Sequence, residues 1–253
     1  MTERERRIRL QGSYNFRDLG GYPAADGRTV RWQRIYRSDA LFRLTPDDLV
    51  TLQPLGLETL IDLRTLAEIE RTGPSPLLAA HGTLHRHVPF LNDPVDQDNL
   101  NALPELSDLY ADLLDTGAET IRSVFEALAT DATYPAVIHC AVGKDRTGIM
   151  TAVLLRSLGV DDDTISVDYA ITDTNFREML DYLRATNQTA LLAEIESVRP
   201  ELMAAPVETM HQFLALIDSR FGGTDQLLRD AGVSSGAREQ VQHLLLEDAS
   251  GSR

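Results

Sequence analysis

One cysteine and one lysine occur in the 253-residue chain, and they stand four places apart as Cys140 and Lys144. The other 23 of the 24 basic residues are arginines. Pro135–His139 is a short apolar run of strand type, and Thr147–Leu158 is an apolar run of helical length. A strand ending at Cys140, a short loop, and a helix beginning at or just after Arg146 would set a thiol at a helix N-terminus. The free N–H groups and the helix dipole there favour an anion. They therefore favour the thiolate over the thiol. The same N–H groups can form a concave nest for a phosphate-like dianion, lined by Ala141, Val142, Gly143, Lys144, Asp145 and Arg146. Gly143 allows backbone angles that side chains forbid. Arg146, five residues after the cysteine, can grip two oxygens through its planar fork. Together these parts describe an activated nucleophile facing a bound phosphoryl group. Lys144 would add positive charge at the pocket rim.

Cys-x5-Arg alone is weak, because this arginine content supplies it by chance about once in eleven. The context adds the specificity: the preceding strand, His139 beside the cysteine, the central Gly143, Thr147 after the arginine and the apolar helix. Other loop chemistries fail on residue type. A nucleotide-binding loop would need glycine at Ile138 and a hydroxyl residue at Asp145. Gly232-Val233-Ser234-Ser235-Gly236 matches a hydrolase pattern but follows a helix rather than a strand, so it reads as a helix–helix turn. His81, His85 and His87 cluster without a paired carboxylate and read as a half-exposed strand edge, not a metal site.

Composition sets the bounds. Hydrophobic residues make up 43% and charged residues 25%, as in folded globular chains. The formal charge is −15 and the isoelectric point is near 4.7, which argues against nucleic-acid partners and against anionic membrane surfaces. An anionic substrate then needs a local positive pocket. The lone cysteine excludes an internal disulfide and a paired-cysteine zinc site. No apolar stretch reaches 18 residues, so no spanning helix and no stable membrane insertion are expected. Residues Met1–Arg7 are of mixed charge without an apolar core, and the expected location is cytoplasmic. The pattern calls for no metal and no cofactor, and it leaves the oligomeric state open.

The elements that must position the loop follow from periodicity. Thr29–Tyr36 reads as a strand burying Val30, Trp32 and Ile35. Thr45-Pro46-Asp47-Asp48 opens a helix that ends near Gly56. Leu57–Leu63 reads as a buried strand, and Thr65-Leu66-Ala67-Glu68 as a capping box. Thr83–Phe90 is a further strand, Leu91–Pro104 a long polar loop, and Leu106–Leu114 and Ala118–Ala129 are helices. Beyond the catalytic helix the chain reads as helical: Asp163–Asp173, Phe176–Thr186, Thr189–Ser197, Val207–Phe221, Thr224–Ala231 and Ala237–Leu246, with Glu247–Arg253 frayed. Strands with intervening helices, then helices alone, predict an α/β fold with a mostly parallel sheet and a helical C-terminal third. No repeat or linker divides the chain, so it reads as one domain, 1–253, with a folded core of about 12–246.

His139-Cys140-Ala141-Val142-Gly143-Lys144-Asp145-Arg146-Thr147-Gly148 resembles the signature of the protein tyrosine phosphatase superfamily. The Gly-Lys-Asp-Arg-Thr-Gly form is similar to its atypical bacterial branch, which includes dual-specificity and phosphoinositide phosphatases. Asn15-Phe16-Arg17-Asp18-Leu19-Gly20-Gly21, Tyr36-Arg37-Ser38, Asp62-Leu63-Arg64 and Gly222–Gly232 resemble that branch in order and spacing. The resemblance implies a four- or five-stranded, mostly parallel sheet flanked by helices. It also implies metal-free hydrolysis of phosphomonoesters through a phosphocysteine. Helices after the catalytic one form a lid in some relatives, so residues 163–221 are a candidate lid. Related proteins can be exported without a visible signal.

On this reading Cys140 attacks phosphorus, Arg146 and the loop amides hold the oxygens, and Thr147 hydrogen-bonds the thiolate. His139 orients the loop. Arg17, Asp18, Asp62 and Arg64 are expected as buried Asp–Arg supports. The leaving oxygen needs a general acid. Relatives carry an aspartate just after Pro-Phe at a strand end; here Pro89-Phe90 is followed by Leu91-Asn92-Asp93, so Asp93 is one place late. Asp145 is the other candidate, because myotubularin-like lipid phosphatases have an aspartate in that place. The sequence reading leans to Asp93 and keeps Asp145 as a site residue. The expected substrate is a phosphotyrosine protein, a phosphoinositide or a small phosphorylated metabolite or nucleotide. The competing classes are a phosphate-binding module without turnover, and a sulfurtransferase or arsenate reductase; the missing second cysteine disfavours thiol relay.

Overall fold

Ala136–His139 is buried at all four positions, which demands cover on both faces and both edges. The computed structural model, which describes residues 5–90, 106–187, 189 and 204–249, provides it. The strands are β1 Arg17–Asp18, β2 Arg28–Val30, β3 Ile35–Ser38, β4 Thr59–Asp62, β5 Leu84–His87, β6 Ala136–His139 and β7 Leu246–Asp248. Five form one sheet in the order β1-β3-β6-β4-β5. β3, β6, β4 and β5 run parallel, and only the two-residue β1 is antiparallel. β2 and β7 form a separate antiparallel pair.

Side chains alternate across the sheet. Tyr36, Leu60 and Val137 face a small core with Phe16, Leu52 and Leu77. There α1 (Pro46–Leu52) and α3 (Leu77–His81) cover the sheet. Ile35, Ile61, Ala136 and Ile138 face the larger core. That side carries α4 (Leu106–Thr116), α5 (Ala118–Leu128), α6 (Asp145–Ser157), α7 (Asp162–Ala185), α8 (Val207–Phe221), α9 (Thr224–Asp230) and α10 (Ser235–Leu245). Leu66–Thr72 forms α2. Both expected helix starts form reciprocal capping boxes, Thr45 with Asp48 and Thr65 with Glu68.

Four readings are corrected. Thr29–Tyr36 is not one strand. It breaks at Gln33, whose φ is +61°, and the backbone N–H of Gln33 donates to Asp18 Oδ2 at 2.8 Å. Val30 and Ile35 are fully buried, but Trp32 is only half-buried. The helices expected at Asp163–Asp173 and Phe176–Thr186 are one 24-residue helix, because the polar Asn175 between them is buried against Asn15 instead of ending it. Glu247 is not frayed: Leu246–Asp248 pairs with β2 as β7, so the C-terminal third is not wholly helical. The catalytic helix begins at Asp145, earlier than Thr147. The expected loop Leu91–Pro104 and helix Thr189–Ser197 lie outside the described residues. Gly232–Gly236 is the expected turn between α9 and α10, with Ser234 capping α10 through the Ala237 N–H.

Gln33 sits in a left-handed conformation that β-branched residues tolerate poorly. Gln33→Val should lower stability by about 1–2 kcal/mol, while Gln33→Gly should not. Thermal denaturation of the two variants checks this. Equal melting temperatures would contradict it.

Candidate active site

The parallel strands end in one row. Ser38 pairs in register with His139, His139 with Asp62, and Asp62 with His87. Ligands of open α/β sheets bind beyond this edge. The chain leaves β6 at His139, makes the loop Cys140–Lys144 and enters α6 at Asp145. Cys140 lies at the bottom of this edge and is 2% exposed. The backbone N–H of Gly143 donates to its Sγ at 3.3 Å.

Gly143 has φ +72°, and a Cβ there would come within 2.5 Å of the Ser38 carbonyl oxygen and 2.6 Å of the Asp39 nitrogen. Only glycine fits on both counts. Its own carbonyl accepts from Asn15 Nδ2 at 3.0 Å and from Arg37 Nη2 at 2.9 Å. The Ala141 carbonyl accepts the Ala40 N–H at 3.1 Å. Ala141 is half-buried and Val142 is exposed at the crest.

Beneath the loop lies a closed polar cluster. Asp168 on α7 accepts from Arg17 Nε at 3.0 Å, Arg37 Nη1 at 2.6 Å and the Tyr22 hydroxyl at 2.8 Å. Arg17, Arg37 and Asp168 are all buried. Burial alone would raise the Asp168 carboxyl, but the charges of Arg17 and Arg37 outweigh it and hold it well below the usual carboxylate range. Arg17 also donates to the Asn15 side chain, and Asn175 donates to the same oxygen at 3.0 Å. Ser13 and the backbone N–H groups of Tyr14 and Asn15 close on Asp39.

Arg146 is held by Glu68 through both terminal nitrogens, Nη1 to Oε2 at 2.6 Å and Nη2 to Oε1 at 2.7 Å. Among the described residues its Nε has no partner. Burial would lower the guanidinium pKa, but the Glu68 hydrogen bonds and the charge on Cys140 raise it above its ordinary value. In turn, burial would raise Glu68, and Arg146 overrides this and lowers it. Lys144 is corrected: it is 1% exposed, not at the rim. Its Nζ reaches Asp145 Oδ1 at 3.1 Å and donates to the Ala204 carbonyl at 3.2 Å. Asp145 Oδ1 also accepts from the Tyr110 hydroxyl at 2.5 Å.

His139 is buried, with Nδ1 at 3.1 Å from the Cys140 carbonyl and Nε2 at 3.6 Å from Asp62 Oδ1. Burial lowers its pKa despite Asp62. Burial would raise Asp62, but the charges of His139 and Arg64 outweigh it and hold it at about 2. Asp62 and Arg64 form the buried pair that was expected, 2.6 Å between Nη2 and Oδ2. Arg17 and Asp18 do not pair with each other. Arg17 turns to Asp168, and Asp18 caps the turn through the N–H groups of Gly20 and Gln33. Thr147 Oγ1 is buried and makes no hydrogen bond among the described residues. Asp93 lies outside the described residues. His85 and His87 stack at 6.1 Å on β5, against Asp62 and the Arg64 carbonyl. Among the described residues no group of three His, Cys, Asp or Glu could hold a metal ion.

Several site residues escape sequence reasoning. Glu68 carries a visible signal, the capping box, and the same carboxylate that receives the Thr65 N–H also holds Arg146. Asp168 and Tyr110 carry none, since each lies within an ordinary helical stretch.

A thiol under a backbone N–H, an arginine fixed beside it and a glycine loop at a helix N-terminus define a cysteine-dependent phosphoryl-transfer site. Residues 8–247 match the model of the tyrosine phosphatase family, and the chain belongs to that family. It is 32% identical, over 86% of its length and 81% of the relative's, to a Cupriavidus necator protein assigned as a tyrosine-protein phosphatase. It is 27% identical to the triple specificity protein phosphatase PtpB of Mycobacterium tuberculosis, over 94% of this chain and 98% of that one. It is also 27% identical to a tyrosine-protein phosphatase of Nostoc commune, over 87% and 76%. The protein is therefore a phosphatase of the protein-tyrosine-phosphatase type, and the family implies the cysteine mechanism. Among the described residues no helix is long and apolar enough to cross a membrane.

Gly143→Ala forces both a strained φ and a backbone clash. It should lower kcat/KM by about 100-fold or more, equivalent to about 3 kcal/mol of lost transition-state stabilisation. Steady-state hydrolysis of an aryl phosphate measures it. Wild-type activity would show that the loop does not need this geometry.

Proposed function

We propose that Cys140 is the nucleophile of a two-step phosphomonoester hydrolysis. The observation that carries this reading is the Gly143 N–H donated to Cys140 Sγ where β6 passes into α6. In the first step Sγ attacks phosphorus and the ester P–O bond breaks. The leaving oxygen takes a proton from a general acid. In the second step water attacks the phosphocysteine, the acid residue recovers its proton, and the S–P bond breaks to release phosphate. The loop N–H groups and Arg146 hold the three equatorial oxygens. Glu68 aims Arg146 beforehand, leaving Nε and the edge of the fork toward the substrate. Thr147 Oγ1 is buried without a partner among the described residues, and in this reading it turns to donate to the thiolate as it leaves.

We assign the acid to Asp145, which stands next to Arg146 at the first position of α6, directly after the loop. Asp93 is the alternative. The substrate we favour is a phosphotyrosine protein, because a thiol only 2% exposed suits a phosphate carried on a long phenyl arm. The chain is read as a single phosphatase domain, a reading supported by the family match over residues 8–247.

Phosphate release should be measured in EDTA for wild type and Cys140→Ser. The panel is a phosphotyrosine peptide, a phosphoserine peptide, a soluble phosphoinositide and a nucleoside monophosphate. Release should survive EDTA, vanish in Cys140→Ser and be fastest with the phosphotyrosine peptide. Release that persists in Cys140→Ser would overturn the thiolate mechanism.

A further inference from the structure

The catalytic reading does not use two buried phenols that stand beside the loop. Tyr110 on α4 is 0% exposed and Tyr169 on α7 is 1% exposed. Their hydroxyls are 2.8 Å apart, and the rings meet edge to face at 6.3 Å. Phe213 on α8 packs edge-on against Tyr110 at 5.7 Å, so three helices fix this ring. Burial, and next the negative charge of Asp145, hold both phenols far above their ordinary pKa. Both therefore stay protonated throughout the range in which a phosphatase works.

Proton counting then fixes the direction of the chain. Each hydroxyl has one hydrogen. Tyr110 donates its hydrogen to Asp145 Oδ1, so the Tyr169 hydroxyl must donate to the Tyr110 oxygen. Lys144 Nζ approaches the same Oδ1 at 3.1 Å. Among the described residues both partners of this carboxylate meet it at Oδ1, and Oδ2 has none. The Asp145 side chain is 36% exposed. When Asp145 carries a proton, that proton must sit on Oδ2, since Oδ1 already receives the Tyr110 hydrogen and faces the Lys144 ammonium.

We propose that Tyr110, braced by Tyr169, is a positioning residue that occupies Oδ1 of Asp145 and so reserves Oδ2 for the proton passed to the leaving oxygen. The inference rests on the assignment of Asp145 as the acid. It adds what that assignment lacks, a reason for the proton to be on one oxygen and for that oxygen to be held in one direction. A rotating carboxyl would lose part of the advantage of a positioned acid.

Leaving groups supply the test. Phenyl phosphate and p-nitrophenyl phosphate are nearly the same size, but phenoxide needs a proton far more than nitrophenoxide does. Asp145→Asn should cut kcat/KM for phenyl phosphate by about 100-fold and for p-nitrophenyl phosphate much less. Tyr110→Phe keeps the ring and should show the same pattern at about tenfold, with Tyr169→Phe between it and wild type. Thermal denaturation of each variant accompanies the kinetics. If Asp145→Asn shows no leaving-group dependence, the acid assignment fails and the positioning role fails with it. If Asp145→Asn shows it and Tyr110→Phe does not, the acid stands and the positioning role alone is overturned. An equal loss on both substrates in Tyr110→Phe would mean a purely structural residue, which also overturns the proposal.

Discussion

The carbonyl oxygen of Gly143 fixes the catalytic loop. It takes one hydrogen bond from Asn15 and one from Arg37, and both donors are buried. With this carbonyl held on the far side of the loop, the Gly143 N–H is left to face Cys140 Sγ. Neither donor is free to move. Arg37 is tied to Asp168, and Asn15 is tied to Arg17 and Asn175. Losing one partner of such a buried ionic cluster leaves a charge unpaired, at a cost of about 3–5 kcal/mol. The cluster therefore sets the loop through α7 and the N-terminal segment at once, which links the helical part of the chain to the chemistry.

The same economy governs charge. The whole chain carries −15, a field that repels phosphate esters. The two cations of the loop do not simply reverse it, because each already faces a carboxylate: Arg146 faces Glu68, and Lys144 faces Asp145. Attraction for an anion falls to the oriented backbone N–H groups at the start of α6 and to the part of Arg146 that Glu68 does not occupy. Such groups are fixed before substrate arrives and need no reorganisation during the reaction. Asp145 has two duties in this scheme. Its Oδ1 meets the buried lysine and the Tyr110 hydroxyl, and the transferred proton is assigned to Oδ2.

The parts legible in the sequence were those written in local chemistry. The strand before Cys140, the helix after it, the helix start at Thr45 and the capping box at Thr65 follow from residue types at short spacing, and the structure has them close to where the spacing placed them. The parallel sheet followed from alternating strands and helices. What was missed depends on tertiary burial. A lone lysine four places after the cysteine reads as a charge at the pocket rim, and only the fold shows it enclosed at 1% exposure. Arg17 and Asp18, adjacent in sequence, point to opposite faces of a strand and cannot brace each other. Asp168 looks like any acid on a helix until two arginines from the sheet converge on it. The break at Gln33 was hidden because an apolar alternation on either side of it looks like one strand.

The most direct measurement is to trap the covalent intermediate. The enzyme would be mixed with excess aryl phosphate, quenched in acid during turnover, digested and examined by mass spectrometry. One phosphoryl group should appear on the peptide containing Cys140, and its resistance to hydroxylamine should distinguish it from an acyl phosphate. A phosphoryl group on any other residue, or rapid turnover with an unmodified Cys140 at every quench time, would contradict the mechanism.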